Sequence, residues 1–426
     1  MSRNMVSIEV LIDEISMGPF GSDIKVDNFI SEGVPVLNGS NIRGVKLSES
    51  FSNFLTIEKA NSLKKANAKR GDIIITHRGT LGQIAYIPEN SSLDRYVISQ
   101  SQFRVSLNRQ LVDPVYFTYY FHTKEGQQRL LSFKNHVGVP ALAQATSNFR
   151  KLEFPLKSLF EQLKISKVLS DIDNKIELNN KINAELEAMA KLIYDYWFVQ
   201  FDFPDANGKP YKSSGGKMVY NKELKREIPD GWSVEIINNI IEVKDGTHDS
   251  PKTKESGYPL ITSKHLKPEG LDFENANLIS KEDYKNVNKR SKVDTGDILF
   301  SMIGSIGEIY KVDEKNINFA IKNIALYKSS KKPEYINFIY TFLKSYDMQR
   351  YMGNVTSGSI QKFIGLGALR NMPILVNDDV IMKFVKTTEY LFQKKTLIKL
   401  ENQELTKLRD WLLPMLMNGQ VTVKDT

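Results

Sequence analysis

Ser158-Leu-Phe-Glu-Gln-Leu-Lys-Ile-Ser-Lys-Val-Leu-Ser-Asp-Ile172 lies within Leu156 to Gln200, a stretch of 45 residues without a glycine or proline. Ser158 and Glu161 have the spacing of a capping box, so the stretch predicts one long helix that begins there. Its apolar residues recur at helical spacing, at Ile165, Val168 and Ile172 and again at Ile182, Leu186, Met189, Ile193 and Tyr196. Such a seam needs a partner to bury it. Asp378 to Asn418 supplies the same rhythm at Phe384, Leu391, Ile398, Leu405, Leu408, Leu412 and Met415. Lys175 and Asn179 interrupt the first seam, and Lys394 and Glu401 the second; polar residues at seam positions fix register at a cost in stability. The expectation is a rigid pair of helices, each on the order of 60 Å long at 1.5 Å per residue.

Outward from the helices the chain repeats itself. Gly33-Val-Pro-Val-Leu-Asn-Gly-Ser-Asn-Ile-Arg43 is followed at a distance by Gly257-Tyr-Pro-Leu-Ile-Thr-Ser-Lys-His-Leu-Lys267. Arg70-Gly-Asp-Ile-Ile-Ile-Thr-His-Arg-Gly-Thr-Leu-Gly82 likewise matches Thr295-Gly-Asp-Ile-Leu-Phe-Ser-Met-Ile-Gly-Ser-Ile-Gly307, with three glycines and the aspartate in register. Each reads as a buried strand, a glycine-bounded turn and a returning strand. A further strand follows (Gln102 to Leu107; Asn323 to Tyr327), then a proline-led aromatic helix, Pro114 to Phe121 and Pro333 to Tyr340, whose ring spacing suits core packing. The unit is therefore a mixed α/β domain that delivers the chain into a long helix, written twice. The stretch 204–230 between the copies is rich in Gly, Pro, Ser and Lys and reads as an exposed connector.

Size and composition agree with this plan. A chain of 426 residues with 41% apolar and 25% charged residues has the makings of more than one globular domain. No apolar run is long enough to span a membrane and no apolar leader opens the chain, so the cytoplasm is the expected location. With no cysteine, disulfides and thiolate metal sites are excluded. The net charge of +8 favours an acidic partner such as nucleic acid. The positive excess falls on the stretches flanking the helices, whose own charges nearly balance.

The order of these pieces resembles the specificity (S) subunit of type I restriction-modification systems. The residues that carry the likeness are Gly18-Pro-Phe-Gly-Ser22, Asp245-Gly-Thr-His-Asp-Ser-Pro251, the paired Gly-Asp hairpins, Pro210-Tyr-Lys-Ser-Ser-Gly-Gly-Lys217 and Ile228-Pro-Asp-Gly-Trp232. The resemblance implies an α+β chain with two mixed α/β target recognition domains in pseudo-twofold arrangement, separated by two long antiparallel helices forming a coiled coil. The expected boundaries are 1–155 and 231–375 for the recognition domains, 156–203 for the central helix, 204–230 for the connector and 376–426 for the C-terminal helix and tail. It further implies a non-catalytic subunit that binds a bipartite sequence in double-stranded DNA, one domain per half-site. The helices then set the gap and dock two methyltransferase (modification) subunits, with restriction subunits in the full complex. No cofactor is expected on this chain; S-adenosylmethionine belongs to the partner methyltransferase. One departure from an exact repeat stands out: Met302-Ile303 occupies the turn position where the first copy has His77-Arg78.

The residues themselves offer no catalytic constellation. There is no phosphate-binding Gly-x-x-x-x-Gly-Lys-Ser/Thr loop, no Asn/Asp-Pro-Pro-aromatic methyltransferase motif and no His-x-x-x-His pair among His77, His122, His136, His248 and His265. His248, amid Asp245, Thr247 and Asp249, reads as a turn hydrogen-bonding group rather than a metal ligand. Candidate DNA contacts are polar and basic loop residues, since phosphates are met by Lys, Arg, Ser and Thr and base edges by Arg, Asn, Gln or Lys. In the first copy these are Ser22, Asn38, Ser40, Asn41, Arg43, Lys64, Lys65, Lys69, Arg70, Arg78 and Gln144. In the second they are Thr247, His248, Lys252, Ser263, Lys264, His265, Lys289, Arg290, Lys292, Ser359, Gln361 and Lys362. The basic pairs Lys69-Arg70 and Lys289-Arg290, just upstream of the two hairpins, stand out. The competing reading is a coiled-coil scaffold whose two heads bind proteins and not DNA.

Overall fold

A computed structural model describes residues 4–135, 139–267, 270–358 and 362–424. The chain divides into two compact units, Met1–Glu177 with Glu404–Thr426, and Leu178–Gln403, so both long helices contribute to each. Among the described residues no helix is long and apolar enough to cross a membrane.

The two units share one topology. In the first, a four-stranded antiparallel sheet has the order Ile12–Met17, Gln102–Leu107, Ile73–Thr76, Ile84–Tyr86. In the second the order is Val243–Asp245, Ile324–Tyr327, Ile298–Ser301, Ile309–Lys311. A second sheet repeats as well: Val34–Leu37 runs parallel to Arg95–Ile98, and Tyr258–Ile261 parallel to Ala320–Ile321. Strands 73–76 and 298–301 are buried on both faces, which is why they read as continuous apolar runs. The hairpin glycines keep their register in three dimensions. Gly71, Gly79 and Gly82 have φ of +82°, +90° and +87°, and Gly296, Gly304 and Gly307 have +89°, +78° and +89°, values that a Cβ strongly disfavours.

The proline-led aromatic helix Pro114–Phe121 packs its rings inward: Phe117 stacks on Phe154 at 4.8 Å and Phe121 meets Phe149 at 5.8 Å. In the second unit the proline begins a single 3-10 turn, Pro333–Tyr335, before the helix Ile336–Leu343. His122, at the end of the first aromatic helix, has Nε2 2.9 Å from the Ile84 carbonyl. Burial holds its pKa below the ordinary histidine value of 6.5, as it does for His77. A depressed folded-state pKa means that the unfolded chain takes up the proton first, so stability is lost as pH falls below about 6.5. Thermal unfolding of His122→Gln, whose amide can still donate to Ile84, is expected to show a flatter decline between pH 7 and 5; an unchanged profile would remove His122 as a source of that dependence.

The first long helix runs Leu159–Tyr194 and widens into a π-helical turn at Asp195–Val199; the second runs Asp378–Asn418. The capping box forms, with the Ser158 amide donating to Glu161 Oε2 at 3.2 Å and the Glu161 amide to Ser158 Oγ at 3.3 Å. Within each unit the helices pair antiparallel. In the first, Arg409 Nη1 donates to Asp173 Oδ1 at 2.9 Å while Leu413, Leu416 and Met417 share a core with Ile165 and Leu169. In the second, buried Asn179 donates to Glu401 Oε2 and Asn402 Oδ1 at 2.7 and 2.8 Å, Lys395 bonds Glu187, and Tyr194 meets Phe384 at 5.9 Å.

The seam differs from the sequence reading in phase. Ile165, Phe384 and Ile398 are buried, and Val168, Ile172, Leu186, Ile193, Leu391, Leu405, Leu412 and Met415 partly so, but Ile182, Met189, Tyr196 and Leu408 are exposed. Asn179, an expected seam position, is buried, but past it the buried line runs through Ala190 and Tyr194, each one position beyond the expected Met189 and Ile193. A helix of 3.6 residues per turn drifts against a strict heptad, and the polar segment Asp173 to Lys175 hides the drift. The rhythm assigned to the seam from Ile182 onward largely belongs to a second apolar stripe beside it.

The connector lies at the surface, as its composition indicates, but it is folded. Tyr211 stacks on Phe203 at 4.7 Å, Trp232 packs beside Phe203 at 5.3 Å, and Met218–Asn221 pairs with Arg226–Pro229 as a hairpin. Aromatic residues at its two ends fasten a segment whose middle carries linker composition.

Candidate nucleic-acid interface

In the first unit, four loops meet at the turn end of the four-stranded sheet. The Gly18 amide donates to the Gln102 carbonyl at 2.8 Å, the His77 amide to Ser101 at 2.9 Å, the Gly79 amide to Pro140 at 2.9 Å, and Gln83 Nε2 to the Gly39 carbonyl at 3.0 Å. These bonds bring together 18–22, 38–43, 77–83 and 139–144. Ser22, Ser40, Arg43, Arg78 and Gln144 are exposed on them. Asn38 turns its carbonyl oxygen to the Ser40 amide at 2.8 Å. Asn41 is buried, donating to Ser48 and Ser50 carbonyls at 3.0 and 2.8 Å, so it builds the loop and faces no ligand.

Lys64, Lys65, Lys69 and Arg70 do not join this edge. Lys69 pairs with Arg95, at the opposite end of the strand that leads to Ser99. Lys64 and Lys65 form a 3-10 turn whose Lys65 carbonyl accepts from Arg104 Nε at 3.1 Å. Arg70 pairs with Asp94 at 2.8 Å and donates to the Ser91 carbonyl at 2.7 Å.

The second unit builds the corresponding edge. The Gly246 amide donates to Ile324 at 2.9 Å, Thr247 to Ile321 at 3.1 Å, Lys322 to Ile261 at 2.8 Å, and Ile364 to Met302 at 2.9 Å. His248, Lys252, Lys264 and Lys362 are exposed, while Thr247 and Ser263 are half-buried. His265 is buried, its Nδ1 accepting from the Thr262 amide at 2.9 Å and its Nε2 lying 3.1 Å from the Asn275 carbonyl; burial also lowers its pKa, and its role is to hold the turn. Lys292 pairs with Asp294 at 3.0 Å. Lys289 and Arg290 lie in the last turn of the helix Lys281–Ser291, which replaces the short helix Ile57–Ser62 of the first unit. Lys289 is exposed, and Arg290 reaches Asp245 at the edge itself. Ser359, Gln361 and His136 lie outside the described residues.

The turn at Met302-Ile303 differs as its sequence suggests. Met302 is buried, and where the first unit presents Arg78 the second opens a groove of about 570 Å³ between Gly304-Ser305 and Met352, Gly353 and Lys362. Among the described residues no three His, Asp or Glu side chains gather to hold a metal ion. The sequence reading missed Asn323 and Lys322, because the strand ending at Ile321 is two residues long and leaves little pattern.

Residues 27–188 match the family model described as a type I restriction modification DNA specificity domain. The chain is 28% identical over 366 residues to the type I restriction enzyme MjaIX specificity subunit of Methanocaldococcus jannaschii, covering 84% of this chain and 79% of that protein. It is 22% identical over 414 residues to the HindI specificity subunit of Haemophilus influenzae, covering 84% and 88%. The fold is similar to the crystal structure of a type I restriction-modification system S subunit from M. genitalium, with a TM-score of 0.52 at 17% identity, covering 100% and 97% of the two chains. With its repeated unit and paired helices, the chain is similar over most of its length to type I restriction-modification specificity subunits, and residues 27–188 match the DNA specificity domain of that family.

Proposed function

We propose that this chain is the DNA-recognition subunit of a type I restriction-modification complex. It binds a bipartite duplex sequence, each unit reading one half-site, and carries out no chemistry itself. The supporting observation is the edge built twice from the same four loops, with exposed Arg43, Arg78 and Gln144 in one copy and His248, Arg290 and Lys362 in the other. Such side chains meet phosphates and base edges. The long helices set the gap between half-sites and dock two methyltransferase subunits, on which S-adenosylmethionine binds; restriction subunits complete the cleaving assembly. Support for docking comes from the exposed stripe Leu178, Ile182, Met189, Leu192 and Tyr196, at the spacing that a partner helix would cover.

Removing one heptad from each long helix, in register, is expected to shorten the preferred gap between half-sites by about three base pairs, from roughly 1.5 Å per residue and 3.4 Å per base pair. Sequencing of methylated adenines in cells carrying the shortened chain and its methyltransferase reads the gap directly. An unaltered gap would sink the spacer role, and a complex that selects no bipartite sequence would sink the recognition role.

A further inference from the structure

At the edge of the second unit Asp245 is an acid enclosed by the fold with its partners on the outside. Its side chain is 4% exposed, whereas those of its partners His248 and Arg290 are 62% and 61% exposed. Arg290 Nη2 donates to one carboxylate oxygen, and His248 Nε2 lies 2.8 Å from the other. His248 Nδ1 lies 2.8 Å from Asn323 Oδ1, and Asn323 is held at φ +54°. Enclosing a carboxylate is unfavourable unless its partners are well placed, and here those partners contribute little to the apolar core. The arrangement instead anchors one nitrogen of an outward-facing guanidinium at this edge. That planar, always-charged fork matches the O6 and N7 acceptors of guanine in the major groove.

We propose that Arg290 reads a guanine in the half-site of the second unit and that Asp245, braced by His248, is its positioning residue. The inference rests on the DNA-recognition reading above and goes beyond it in naming the base and the residues. The first unit has no counterpart: Gly18 and Gly246 occupy equivalent places in the two sheets, and the residue before Gly18 is Met17, paired with Phe103 where Asp245 is paired with Ala325. The two half-sites are therefore read by different chemistry, and only one depends on this device.

The test is selection of duplexes from a randomised pool by the chain in complex with its methyltransferase subunits, followed by sequencing. Wild type is expected to return a bipartite consensus. Arg290→Gln is expected to lose discrimination for guanine by roughly tenfold or more at one position of one half-site, leaving the other half unchanged. Asp245→Asn, which keeps the shape but not the charge, is expected to weaken the same position. Lys289→Ala, one residue away, is expected to weaken binding to all sequences alike and to flatten its salt dependence. An Arg290→Gln consensus identical to wild type overturns the guanine assignment while the recognition reading stands. A loss spread evenly over both half-sites makes Asp245 and Arg290 merely structural and also overturns it. A wild-type complex that returns no consensus overturns the recognition reading itself.

Discussion

Lys328→Ala is expected to destabilise the second unit by about 3–5 kcal/mol, the cost of leaving a carboxylate enclosed without its cation. Asp297 is fully enclosed and Lys328 is 4% exposed, with Nζ 2.5 Å from Asp297 Oδ2 and 2.8 Å from Asp294 Oδ2. Asp297 also accepts the Asp294 amide at 2.8 Å and the Ser330 amide at 3.2 Å, so its charge organises the loop that opens the hairpin. Removing both charges in Lys328→Met with Asp297→Asn is expected to cost much less than the single change, because no uncompensated ion remains. Chemical denaturation of the three proteins measures this; a single-variant loss below about 1 kcal/mol would mean that solvent satisfies Asp297. The first unit solves the same problem less tightly. Arg104 lies 3.4 Å from Asp72, and burial pushes the Asp72 carboxyl above the ordinary aspartate range, so Arg104→Leu is expected to cost less.

The second large effect falls on assembly. Met189→Glu with Leu192→Glu is expected to leave the chain folded and to weaken its binding to the methyltransferase subunit more than tenfold per position. The basis is about 1.5–3 kcal/mol for each large apolar side chain a partner covers, with every 1.4 kcal/mol a factor of ten. Met189 and Leu192 are 50% and 68% exposed, so new charges there meet water in the free chain and an apolar surface only in the complex. Titration of variant and wild type with purified methyltransferase subunit, alongside their thermal unfolding, separates docking from folding. Equal affinities would exclude this stripe as the docking surface.

The same stripe marks where the sequence stops being informative. Helical spacing identifies Ile182, Met189 and Tyr196 as one face of a helix, but periodicity carries no label for the partner that covers it. Only the packing of Ala190 and Tyr194 places the seam one position away. The basic pairs behave likewise. Lys69-Arg70 and Lys289-Arg290 are equivalent in composition, yet the former lies at the far end of its strand with Arg70 held by Asp94, while Arg290 is carried to the edge by an 11-residue helix where the first unit has one of 6 residues.

What the sequence determined by itself is everything that a few neighbouring residues decide: the capping box at Ser158 and Glu161, the glycines that only left-handed turns require, the helix lengths, the buried hairpin strands and their duplication. These depend on local sterics and hydrogen bonding, which are complete within a turn or two of chain. The tertiary structure alone decided which apolar stripe is covered, which cations are neutralised by acids 24 and 45 residues away, Asp94 for Arg70 and Asp245 for Arg290, and which loops share an edge. Those outcomes depend on the distances between segments far apart in sequence, and such distances exist only once the sheets and helices have packed.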